Sequence, residues 1–121
     1  MKPTKFDKNI SIVIKAIRHM RKAKLLPIAN SLCIDETNLS RLESGKRLWS
    51  PGRLRDMAKL LNVSLAELML MAEFLVLEDF QSNDNEQLVT NYNHFLGRNN
   101  FISKLSENEK FDLVTAIKAI F

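Results

Sequence analysis

The sequence contains one cysteine, three glycines, three prolines, one tryptophan, one tyrosine and two histidines among 121 residues. The single cysteine, Cys33, excludes an internal disulfide framework. His19 and His94 share no metal-ligand spacing with it, so no metal is expected. With so few glycines and prolines, few tight turns are available, which argues against a many-stranded β fold. Neither histidine lies in a nucleophile or acid–base arrangement, and no glycine-rich phosphate loop exists. No catalytic residue, cofactor or enzymatic activity is therefore expected. The segment Met1 to Asn9 is polar and lacks the apolar core of a signal peptide. The most apolar stretch, Leu68 to Leu77, is interrupted by Glu73. It is far short of the ~20 residues that span a bilayer. A cytoplasmic protein with no membrane partner is the expectation.

What is present is an ordinary globular composition, 45% hydrophobic and 26% charged. The net charge of +4 hides a strong asymmetry. Residues 1–63 carry 14 basic and 5 acidic side chains, whereas residues 64–83 carry 4 acids and no base. Residues 84–121 are nearly balanced. A concentrated cationic half suggests a polyanion partner, most simply nucleic acid. A merely well-solvated basic surface is the plainer alternative.

The hydrophobic periodicity is helical nearly throughout. Ile10, Val13, Ile14, Ile17 and Met20 recur at three and four residues and predict an amphipathic helix over about Asn9 to Lys22. A short second helix fits Leu25 to Leu32, with Pro27 in the first turn, where backbone donors lack partners anyway. Asp35 is a good N-cap for a third helix to about Ser44, stopped by Gly45. Ser50 caps a fourth, with Pro51 at its first position, directing Leu54, Met57, Ala58 and Leu61 inward until Asn62-Val63. Ser64 and Glu67 form a capping box that opens a fifth helix to about Phe80. Gln81 to Asn85 reads as a loop. A sixth helix spans about Glu86 to Leu96 and ends at Gly97. A second capping box, Ser106 and Glu109, opens a last helix bearing Phe111, Leu113, Val114, Ile117 and Ile120.

Residues 10–70 resemble the lambda-repressor-like, or Xre-type, helix-turn-helix family of DNA-binding regulators. The strongest match is Leu39-Ser40-Arg41-Leu42-Glu43-Ser44-Gly45-Lys46-Arg47, which is similar to the family's recognition-helix ending. Ile28-Ala29, Leu32, Leu54, the run Ala58 to Ser64 and Glu67-Leu68 add matches in the right order. The resemblance implies an all-α fold: a five-helix helix-turn-helix domain over 1–80, with a C-terminal helical extension over 81–121. By the same resemblance, Glu36, Thr37, Ser40 and Arg41 occupy base-contact positions. The helical spacing agrees, because Leu39 and Leu42 face inward and leave this polar set outward. Arg41 can pair bidentately with guanine. Glu36 can accept from cytosine or simply favour the helix dipole. Lys24, Lys46, Arg47 and Arg53 are expected to hold phosphates, which fixes register without reading sequence. Asn38 supports a phosphate contact or caps the helix. Trp49 packs on the DNA backbone or covers the core edge. Arg18 and Glu43 resemble the family's structural pair. Two positions depart from the pattern. Leu25 stands where a phosphate-anchoring glutamine is usual. Cys33 replaces the glycine of the central turn, where a side chain reaches the required geometry only at some cost.

The fifth helix is apolar almost all round, with Leu65, Leu68, Met69, Leu70, Met71, Phe74, Leu75, Val76 and Leu77. It needs cover on several sides. Phe95, Phe101, Phe111 and Phe121 of the tail, or a second subunit, can supply it. Two-fold dimers read half-sites about one turn (~34 Å) apart. A homodimer on a (pseudo)palindromic double-stranded operator is therefore expected; the alternative is a tail that completes a monomer core. The leading function is a small repressor of phage, plasmid or mobile-element type. The alternative is an antitoxin or interaction module that binds a partner protein through the C-terminal helices.

Overall fold

A computed structural model describes residues 3–77, 84–96 and 100–120. These residues form seven α-helices, one 3₁₀ turn and no strand. The helices are α1 (Lys5–Met20), α2 (Leu25–Ser31), α3 (Glu36–Glu43), α4 (Pro51–Leu60), α5 (Leu65–Leu77), α6 (Asn85–Leu96) and α7 (Glu107–Ile120), with the 3₁₀ turn at Ile102–Lys104.

Side-chain caps set most of the helix starts. Asp35 accepts the Asn38 N–H at 2.7 Å, and Ser50 accepts the Arg53 N–H at 3.3 Å with Pro51 at the first position. Helix α1 begins four residues before the position its apolar stripe predicts. Thr4 and Asp7 make a reciprocal capping box: the Thr4 N–H donates to the Asp7 carboxylate at 2.8 Å and the Asp7 N–H to Thr4 Oγ1 at 3.2 Å. This polar turn shows no hydrophobic period, so only its cap reveals it.

The helix ends explain how so few glycines suffice. Lys22, Cys33 and Asn62 each adopt φ 57°, and Gly45 adopts φ 79°. Each follows the last capping residue of α1, α2, α4 and α3 respectively. Beyond each, a backbone N–H returns to a carbonyl five residues back: Ala23 to Arg18, Ile34 to Ala29, Lys46 to Arg41 and Val63 to Ala58. All four helices thus stop in the same left-handed turn, and three do so with a side chain in a region that disfavours one.

One apolar cluster joins α1, α2, α4 and α5 to the tail helices. Helix α1 packs against α3, α5 and α7, and α6 lies on α5 and α7. The expected boundary near Gln81–Asn85 and the ends at Phe80 and Gly97 fall largely or wholly outside the described residues, as do Phe121 and the side chains of Val76 and Leu77. On α5, Leu68, Met71, Ala72, Phe74 and Leu75 are buried within this chain, while Met69 and Leu70 stay exposed. Phe74 stacks on Tyr92 with ring centroids 4.3 Å apart and on Phe95 at 5.3 Å. The Tyr92 hydroxyl donates to the Met71 carbonyl at 3.1 Å, and full burial holds the phenol well above its ordinary pKa.

Two details differ from expectation. Phe111 is exposed, because Leu113, Val114 and Ile117 form the buried face of α7 and a position two residues before Leu113 points nearly opposite. The Ser64–Glu67 box is also only half formed. Ser64 Oγ accepts the Glu67 N–H at 3.1 Å, but the Glu67 carboxylate takes the Ser64 hydroxyl and the distant Phe101 N–H. That carboxylate ties the first turn of α5 to the segment preceding α7. The Ser106–Glu109 box is complete, at 3.0 and 3.1 Å.

Candidate nucleic-acid interface

Helix α2 braces α3 through Ile28 and Ala29, both buried, and the Cys33 turn sets the angle between them. Leu39 and Leu42 of α3 point into the protein, 0% and 4% exposed. On its other side, Glu36, Thr37, Ser40 and Arg41 are all exposed. With Leu25, these four line one shallow surface recess of about 390 Å³. The predicted base-contact set is thus brought together along the outer side of a helix held at both ends, from Glu36 in its first turn to Arg41 in its last. Leu25 gives the recess an apolar wall where the family pattern has an amide.

The cations that flank this helix in the chain lie unmatched. Between residues 3 and 63, Arg18 is the only basic side chain in an ion pair among the described residues. The acids nearby are mostly committed to their own chain: Asp7 and Asp35 cap helices, and Glu43 holds Arg18. Lys24, Lys46 and Arg47 are exposed and Arg53 half-buried. Lys46 and Arg47 stand on a tight loop whose N–H groups both donate to the Arg41 carbonyl, at 3.0 and 3.3 Å. His19 sits beside the Arg18–Glu43 pair. Its imidazole is held below its usual pKa, chiefly by partial burial and then by Arg18 and Lys15, against the pull of Glu43.

Arg18 and Glu43 form a two-pronged pair, Nε to Oε2 at 2.7 Å and Nη2 to Oε1 at 2.9 Å. The third arm, Nη1, donates to the Ala23 carbonyl at 2.9 Å. One guanidinium therefore joins α1, the turn into α2 and the last residue of α3. The Asn38 side chain donates to Asp35 at 3.3 Å, so it is engaged in the α3 cap. Trp49 packs half-buried against the core, and its indole N–H is buried with no partner among the described residues. Of its two readings, the structure shows the core edge.

Two positioning residues are not evident in the sequence. The Ser11 hydroxyl donates to the Leu42 carbonyl at 2.8 Å, and the Asn9 amide to the Ala72 carbonyl at 3.4 Å. Both are buried and lock α1 against the end of α3 and the middle of α5. Only their polarity inside an apolar stripe hinted at a partner.

This arrangement is that of a helix-turn-helix DNA-binding regulator, and the matched family is not one of enzymes. A family model described as Helix-turn-helix matches residues 17–68, in line with the Xre-type, or lambda-repressor-like, resemblance of the sequence. No curated protein and no solved structure matches the chain. Among the described residues no helix is long and apolar enough to cross a membrane.

Proposed function

We propose that the protein is a sequence-specific repressor that binds a (pseudo)palindromic duplex operator as a homodimer, of the phage, plasmid or mobile-element kind, acting in the cytoplasm. The observation that supports this most is the exposed recess of Glu36, Thr37, Ser40 and Arg41, with exposed cations outside any ion pair on the chain before and after it. Arg41 reads guanine, a contact worth ~1–3 kcal/mol of discrimination. Lys24, Lys46, Arg47 and Arg53 hold phosphates, with Asn38 assisting from the α3 cap. Arg18 and Glu43 set the groove-entry angle. The dimer rests on the apolar residues left outside the core, Met69 and Leu70 of α5 and Phe111 of α7.

Selection of duplexes from a random pool, followed by titration, tests the reading. Arg41→Ala should flatten sequence preference more than salt dependence. Lys46→Ala should weaken binding to all sequences. Absence of duplex binding at low salt would falsify the reading. Sedimentation at micromolar concentration tests the dimer, and a 13.9 kDa species alone would remove it. A second reading, an antitoxin or other module holding a partner protein, draws on the groove of about 640 Å³ between α6 and α7, where Val89 and the exposed Phe111 meet. Under that reading Phe111→Ser leaves DNA binding and dimerisation intact.

A further inference from the structure

The first turns of α1 lie beside the loop that follows the recognition helix. A side-chain carbon placed on Gly45 would sit 3.5 Å from Lys8 Cγ and 3.9 Å from Lys8 Cα. Lys8 therefore flanks the backbone immediately before Lys46 and Arg47. Its side chain is exposed, and its ammonium has no hydrogen-bond or ion-pair partner among the described residues. Lys5, one turn earlier, is also exposed. The intervening acid, Asp7, accepts both the N–H and the hydroxyl of Thr4. This turn is fixed to the recognition helix: the capping box extends α1 back to Lys5, and Ser11 bonds to the carbonyl of Leu42.

From this placement we infer that the DNA interface extends onto the first two turns of α1. Lys8 takes a backbone phosphate next to the one held by the Lys46–Arg47 loop, and so helps fix how α3 enters the groove. The inference rests on the DNA-binding reading of α3. A cation at this point also complements the C-terminal end of α3. That role is structural and would appear in the melting temperature, whereas a phosphate contact appears in the salt dependence.

The test uses the full chain and a random-sequence duplex, with affinity measured across salt concentration. Lys8→Gln keeps the stem and removes the charge. It should reduce the slope of log affinity against log salt by about 0.9, the value for one phosphate on B-DNA. Between about 50 and 200 mM salt the variant then loses roughly 3.5-fold less affinity than the parent. Sequence preference should not change, and Lys8→Arg should restore the slope. A parental slope in Lys8→Gln, alongside a flattened one in Lys46→Ala, overturns the inference and leaves the DNA-binding reading standing. No duplex binding by the parent protein overturns both. Reductive methylation of the unaltered protein gives a second readout free of folding effects. Duplex DNA should protect the Lys8 amine, and Lys8 reacting at its free rate while Lys46 is protected would also overturn it.

Discussion

Removal of the Glu43 carboxylate should destabilise the protein by about 3 kcal/mol. The Glu43 side chain is 3% exposed and that of Arg18 12%, so the pair is largely withdrawn from water. Breaking one partner of a buried pair costs ~3–5 kcal/mol, because the other is left as an uncompensated charge. Arg18 retains the Ala23 carbonyl and some solvent, which places Glu43→Ala at the lower end of that range. For a domain of this size, about 1 kcal/mol corresponds to ~4 °C, so the melting temperature should fall by about 12 °C. Reversible thermal unfolding followed by circular dichroism measures this. Replacing both partners by apolar residues is often neutral. Arg18→Met/Glu43→Leu should therefore recover most of the loss seen in either single variant. At a temperature where every variant is folded, Glu43→Ala should also weaken duplex binding, because the pair joins α1 and the α1–α2 turn to the end of α3. The reasoning is refuted if Glu43→Ala costs under about 1 kcal/mol, or if the two single losses simply add in the double variant.

Three further outcomes are expected. Cys33→Gly relieves a left-handed residue whose side chain is exposed, so it should stabilise the fold by about 0.5–1 kcal/mol in denaturant titration; a loss of stability would contradict the strain. Ile117→Ala empties a fully buried position and should cost ~2–5 kcal/mol while keeping one cooperative transition; a separate early transition would show the tail unfolding alone. The Ser106 N–H holds the Glu109 carboxyl below its ordinary value near 4.5. Its folded pKa is depressed, so its stabilising contribution is complete above that value and disappears as pH falls through the lower folded one. Glu109→Gln should flatten the acid limb of the melting-temperature profile, and an unchanged limb would contradict the assignment.

The starts of helices α3 to α5 were legible because their caps are local: Asp35, Ser50-Pro51 and Ser64 announce starts within three residues of the groups they satisfy. The four residues of the recess were legible for the same reason, since alternation with Leu39 and Leu42 fixes which side they occupy. What escaped was long-range. Nothing near Glu67 in sequence indicates that its carboxylate reaches Phe101, and nothing near Lys8 indicates that Gly45 lies against it. The cover of α5 was ambiguous because an all-round apolar helix does not name its neighbours. Phe111 was misplaced by its composition, although its spacing from Leu113 already put it on the outer side of α7.

The contact between α1 and α7 has a consequence for how the protein is made. These helices are neighbours in space, yet α2 to α6 separate them in the chain. At ribosomal rates of ~5–20 residues per second, α7 emerges on the order of ten seconds after α1. Until then the face of α1 that α7 covers stays open, so the nascent DNA-reading half is exposed to chaperones and to premature association before its core can close.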